Sequence, residues 1–185
     1  MRIQTRSALA ERDFDLLVAH RDRVLLGTSI PHLDDSLSRV LEPRATSPTR
    51  RLKMLERAAD AGIPIYVAVA PFLPFHTREE LQRVLSKVFP LRPREIFCEV
   101  LNPKGENLSM MIDALSSRFP QYAARLNEYS TDYWSKFTWK VLKHGLNRSR
   151  RFIPWPDTRG QWRAHLSPDR IRFLDRFLPP EKVVA

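Results

Sequence analysis

The chain has 185 residues, enough for one domain and for burial of roughly 70% of its unfolded surface. An apolar fraction of 43% with 28% charged residues excludes a disordered chain, and no run approaches the roughly 18 apolar residues of a membrane span. The formal charge is +10, and the single cysteine, Cys98, excludes an internal disulfide or a cysteine-built metal site. The opening MRIQTRSALAERD lacks the apolar core of a signal peptide, so the cytoplasm is the expected compartment.

In chain order, Arg2 to Thr5 reads as a strand with one large apolar residue, Ile3, which suits an edge. Thr5, Arg6 and Ser7 would stand at its carboxyl end. Glu11 to Ala19 has a wide helical stripe in Phe14, Leu16, Leu17 and Val18, and Arg23 to Thr28 is the second strand. A loop of about 17 residues then joins Ser29 to Ser47, against the roughly 2–6 usual in βα units. Long ordered loops of this kind are commonly functional, and Leu33 to Leu41 forms a short amphipathic helix inside it.

The best specified helix starts at Ser47-Pro48 and ends at Gly62. Ser47 can cap it, Pro48 loses no hydrogen bond at the first helical position, and Gly62 can adopt the left-handed closing conformation. Leu52, Leu55, Ala58 and Ala59 form its inner face, and Arg50, Arg51, Lys53 and Arg57 cover the outside. Arg51 lies near the positive end of the helix dipole, which calls for a packing or functional reason.

Ile63 to Ala70, IPIYVAVA, is a continuous apolar strand of the parallel type, terminated by Pro71. Thr77 and Glu80 make a capping box for a helix facing inward through Leu81, Val84, Leu85 and Val88. Glu95 to Leu101 is the next strand, with Leu25, Ile65, Val67, Val69 and Phe97 expected to share an inward face. Its polar exit runs from Asn102 to Asn107. Helices are expected over Leu108 to Leu115, Tyr122 to Leu146 and Leu166 to Leu178. The order makes an α/β fold with a parallel sheet of about four strands over residues 1–107. A helical, basic, aromatic-rich region follows over 108–185.

Charge is concentrated in that last region. Residues 136–185 hold 12 basic and 4 acidic groups, so +8 of the total +10 lies there. Lys136, Lys140 and Lys143 recur on one helical face, and Arg148, Arg150 and Arg151 follow. Such a surface attracts phosphate backbones; the alternative is a plain basic solvated surface, or one facing an acidic partner domain. His32 and His144 have no partner at metal-ligand spacing and are expected to be solvated or packed. Tyr129, Tyr133 and Trp134 read as core or interface residues.

Three stretches carry a resemblance: TRSALAERDFDLL, then GTSIPHLDDSLSRVLEPRATSPTRRLKMLERAADAGIPIYVAVAPFLP, then CEVLNPKGEN. Together they resemble the third to sixth strands of radical S-adenosylmethionine (SAM) enzymes, which implies an incomplete parallel (βα) partial barrel of about four strands over residues 1–107. The branch is that of spore photoproduct lyase and the bacterial DNA repair photolyase-like proteins, and the likeness covers residues 2 to about 107. It implies a SAM site at the strand ends, with Arg6, Ser7, Ser29, Pro71 and Asn102 as contacts and Lys104 beside them. Glu42 and Arg44 of the Glu-Pro-Arg motif either clamp the amino acid end of SAM or pin the long loop to the rim. No catalytic residue is assigned.

The family's C-x3-C-x2-C segment is missing from this sequence. One thiolate cannot hold the [4Fe-4S] cluster on which this chemistry depends. The expected partner is therefore an amino-terminal cluster-binding half, in the same or a separate polypeptide, with DNA lesions as the implied substrate. An inactive remnant and a basic nucleic-acid-binding module are the other two readings.

The basic region makes a direct prediction. If Lys140, Lys143, Arg148, Arg150 and Arg151 contact duplex DNA, the log-log salt slope should be about 0.9 per phosphate neutralised, with little sequence preference. Titration with a labelled duplex tests it. An affinity that changes less than about twofold between about 50 and 200 mM salt rules the patch out. So does unchanged binding after joint neutralisation of Arg148, Arg150 and Arg151.

Overall fold

A computed structural model describes residues 1–101, 106–128, 152–154, 168 and 172. Its strands are β1 (Arg2–Gln4), β2 (Leu25–Ser29), β3 (Ile65–Phe72), β4 (Glu95–Val100) and β5 (Phe152–Pro154). The helices are α1 (Phe14–Ala19), α2 (Asp35–Leu41), α3 (Pro48–Asp60), α4 (Arg78–Val88), α5 (Asn107–Ser116) and α6 (Pro120–Asn127). A 3-10 segment, Ala8–Asp13, leads into α1, so the first expected helix is split in two.

All strand pairings are parallel and the sheet order is β1-β2-β3-β4-β5. Each strand lies beside its predecessor and the sheet advances in one direction. Right-handed crossovers then place the intervening helices on a single face, as in a barrel rather than a doubly wound sheet. That face carries Leu26, Ile65, Val67, Val69, Ile96 and Cys98, none more than 3% exposed. It packs with Leu52 and Leu55 of α3 and with Leu81, Val84, Leu85 and Val88 of α4 in one core cluster. The expected partial βα barrel is thus the observed architecture.

The opposite face has a different character. Side chains alternate along a strand, so Arg2, Leu25, Tyr66 and Phe97 lie on this second face. The expected inward set is therefore divided: Leu25 and Phe97 are on one side, and Ile65, Val67 and Val69 are on the other. Arg2 makes a paired contact with Glu95, Nη2 to Oε1 at 2.9 Å and Nη1 to Oε2 at 2.6 Å. Its guanidinium carbon lies 5.6 Å from the Tyr66 ring centre and 5.4 Å from that of Phe97. In a flat sheet β1 and β4 would be about 14 Å apart. The two side chains together span two intervening strands, on the helix-free face that is the concave one in a partial βα barrel.

Other departures have local causes. β5 extends the sheet beyond β4, inside a region expected to be helical. Pro71 does not end β3: the strand runs on to Phe72 through a cis Ala70–Pro71 bond, and the pairing with β4 shifts between Val69 and Phe72. A residue without an N–H can occupy a strand where the ladder is irregular. The Thr77–Glu80 capping box is present, and Gly62 has φ +76 just past α3. Ser47 makes no side-chain cap. Asp35 of α2 supplies it instead, its Oδ1 accepting the Thr49 N–H at 3.1 Å. Most of the expected helix from Tyr122 to Leu146, most of that from Leu166 to Leu178, and the residues Asn102, Lys104, Lys140, Lys143, His144, Arg148, Arg150 and Arg151 lie outside the described residues.

Gly27 is required by the concave face. A Cβ there would lie 2.2 Å from Tyr66 Cε1 and Cζ, so the ring lies against the β2 backbone. The Tyr66 hydroxyl donates to Gln4 Oε1 at 3.3 Å, which holds the ring across β2. Gly27→Ala should destabilise the protein by about 1–3 kcal/mol through overpacking. Combining it with Tyr66→Leu should recover part of the loss. Urea midpoints check both, and an equal loss from Gly27→Ala in the two backgrounds would show that the ring is not the obstacle.

Candidate functional site at the carboxyl rim of the sheet

The loops that leave the carboxyl ends of β1, β2 and β3 converge on one rim, where ligands of parallel α/β folds bind. After β1 the chain turns at once. Thr5 Oγ1 accepts the Ser7 N–H at 3.0 Å and Ser7 Oγ accepts the Leu9 N–H at 3.2 Å, which starts the 3-10 segment. Thr46, before α3, donates its N–H to the Arg6 carbonyl at 3.1 Å and accepts the Ala8 N–H at 3.1 Å. The exit of β1 and the end of the long loop are thereby joined.

At the centre of this join is Glu42, the residue after α2. Its Oε1 is 2.5 Å from Arg6 Nη1, and its Oε2 accepts from Arg51 Nη2 at 2.9 Å. Arg51 has no exposed surface, contrary to the expected outward position. The same Nη2 lies 3.4 Å from Ser38 Oγ, while Nε and Nη1 have no partner among the described residues. Burial lowers the Arg51 pKa and Glu42 raises it. Glu42 thereby ties the long loop to the exit of β1 and to α3. Arg44 is exposed and is not brought into the cluster. Glu11 makes a parallel tie, with Oε1 and Oε2 at 2.5 and 2.7 Å from Arg50 and Oε2 at 3.0 Å from Arg57.

Ser29 at the end of β2 is 1% exposed, and Pro71 is half-buried within β3. Among the described candidates the rim therefore brings Arg6 and Glu42 together, with Ser7 on the same turn. It does not gather Arg44 to them. Cys98 is buried on the helix-covered face, and burial pushes its thiol well above the usual range. The donor set does not fit an iron–sulfur cluster.

Sequence reasoning missed His76. The loop after β3 carries it fully buried, with Nδ1 accepting the Leu73 N–H at 3.1 Å and Nε2 without a partner among the described residues. It contacts His32 of the β2 loop, ring centres 5.3 Å apart, and packs edge-on against Phe72 and Phe75. His32 is 5% exposed, so packed as expected, and its Nδ1 accepts the Asp34 N–H at 3.2 Å. A groove of about 290 Å³ opens beside it, lined by His32, Leu33, Asp34, Glu80, Arg83 and Tyr122. The only sequence signal for His76 was its place just before the Thr77 cap.

Removing Glu42 tests the clamp. Glu42→Ala leaves a buried guanidinium without its anion and should cost about 3–5 kcal/mol. Arg6→Ala removes a half-exposed partner and should cost below about 1 kcal/mol. Urea unfolding measures both, and comparable losses would show that Arg51 is not the member that matters.

No protein-family model matches the chain, and no solved structure matches it. It is 34% identical over 111 residues to an uncharacterized protein, ORF301, of Acidianus two-tailed virus. The match covers 57% of this chain and 37% of the viral protein, so the chain spans little more than a third of that relative's length.

Proposed function

We propose that the chain is the SAM-side portion of a radical SAM-type βα barrel, completed by a cysteine-bearing amino-terminal half in the same or a separate polypeptide. The observation that carries this reading is the sheet. Its consecutive parallel order, concave face and β1 edge are those of part of a barrel, in the stretch where the sequence resembles that family. The half-exposed Arg6 guanidinium at the β1 exit is the group suited to a ligand carboxylate, by paired hydrogen bonding. Glu42 holds Arg6 in place rather than reaching the ligand. Ser7 orients the turn on which Arg6 stands. SAM would bring the reactive sulfonium, and the missing half would bring the cluster. The residues of this chain bind and orient. DNA lesions as substrate and a remnant without activity stay open within this reading. The nucleic-acid module rests on the charge of residues 136–185 and is tested by the salt titration above.

With only this part of the site, the isolated chain should bind SAM weakly, and calorimetry giving a submicromolar dissociation constant without iron would overturn that. Anaerobic reconstitution should likewise leave it without a cluster. About four irons and four sulfides per chain, in a monomeric fraction, would contradict the single-thiol argument.

A further inference from the structure

The two buried histidines have a part that ligand binding at Arg6 does not use. Both present Nδ1 as an acceptor to a backbone N–H of the loop they stand on, Asp34 for His32 and Leu73 for His76. An imidazole that accepts at Nδ1 must carry its proton at Nε2 if it is neutral. This tautomer leaves no lone pair at Nε2 for a metal, and the rings serve as links between loops. His32 closes the turn that leads into α2, where Asp34 Oδ1 accepts from the Ser36 and Leu37 N–H groups at 2.8 and 3.0 Å. His76 closes the turn between β3 and α4, whose Thr77 cap follows at once. Ring contact between the two joins these turns.

We propose that the His32–His76 pair is an acid-labile latch between the loops after β2 and β3, closed when both rings are neutral and released when they are protonated. An imidazolium has a hydrogen on each nitrogen, so Nδ1 becomes a donor facing a donor. The Asp34 and Leu73 N–H groups then lose their acceptors, and two adjacent cations repel. The groove wall formed by His32, Leu33 and Asp34 moves with the first loop.

The surroundings set the order of release. Asp34, Asp35 and Glu42 face His32 and favour its charged form, Arg51 opposes it, and burial outweighs them and lowers its pKa. Glu80 and Arg83 of α4 and Tyr122 of α6 stand across the groove. His76 has Phe72 and Phe75 around it and His32 as its charged neighbour, and burial with His32 holds it well below the usual histidine value. Both rings are therefore neutral at pH 7, and His32 yields first on acidification.

Amide hydrogen exchange followed by NMR on the full chain, expressed as protection factors from about pH 7 down to about pH 3, tests the latch. The Asp34 amide should lose protection at least about tenfold, with the Leu73 amide following at lower pH, while the Val67 and Ile96 amides in the sheet keep theirs. In His32→Asn/His76→Asn, where the amide oxygen can accept but cannot be protonated, protection at these two amides should not depend on pH. Retained protection in the wild type down to about pH 3 overturns the proposal, as does loss shared equally with the sheet amides. If the double variant does not fold, the wild-type exchange alone still decides, read beside the imidazole ring shifts: loss at the two amides must track protonation of the rings.

Discussion

A guanidinium with no exposed surface is the constraint on which the rim depends. Arg51 sits in the first turns of α3, where the helix dipole is positive and a cation is unfavourable. Burial adds a larger penalty, since a buried charge needs a partner. Glu42 is that partner, and it can reach Arg51 only because α2 turns back over the start of α3. Asp35, at the other end of α2, caps α3 by accepting the Thr49 N–H. The long connection between β2 and α3 is therefore closely fitted to α3: its short helix presents one carboxylate to the helix start and one to the buried arginine. Arg6, held by the second oxygen of Glu42, extends this arrangement to the exit of β1.

The sheet gives the rim its curvature. With strands in consecutive order, the apolar core accumulates on one face and the other face closes on itself. Tyr66 lies flat on Gly27 because no side chain intervenes, and Arg2 crosses above it to Glu95. These contacts span from β1 to β4, so distortion of one strand is felt by its neighbours on the concave side.

Periodicity and capping chemistry carried the strands β1 to β4 and helices α2 to α4, because each is long enough, or punctuated clearly enough, to leave a pattern. Thr77 and Glu80 announce α4 through local hydrogen bonds, and local rules are legible in sequence. β5 is not legible in this way: Phe152–Pro154 is three residues and contains a proline, so it has no period to detect. Its existence depends on β4 offering an edge, which is a tertiary fact. Pro71 misled for a related reason, since a rule about ladder donors does not say where a ladder shifts register. Arg51 looks like an outward residue by spacing, and only the position of Glu42 in space shows otherwise. His76 had no partner in sequence because its neighbour, His32, is brought to it by the fold. Of the candidate site, Arg6 and Glu42 were found by resemblance, whereas their mutual ion pair was not foreseen.

That ion pair bears on the two roles open to Glu42. Both carboxylate oxygens are already engaged, one with each arginine. For Glu42 to turn toward a ligand amine, it would have to release Arg51 into an apolar interior without an anion. The cost of an uncompensated buried charge is several kcal/mol, whereas an ion pair at an exposed rim returns about 1 kcal/mol or less. Glu42 therefore stays with Arg51 whether or not a ligand is present. Arg6 is differently placed, because its side chain is 48% exposed and only its Nη1 is drawn to Glu42. It can add an acceptor from solvent without leaving the clamp. In the proposed reading the group that meets a ligand at this rim is Arg6, and Glu42 contributes indirectly, by fixing where that guanidinium points.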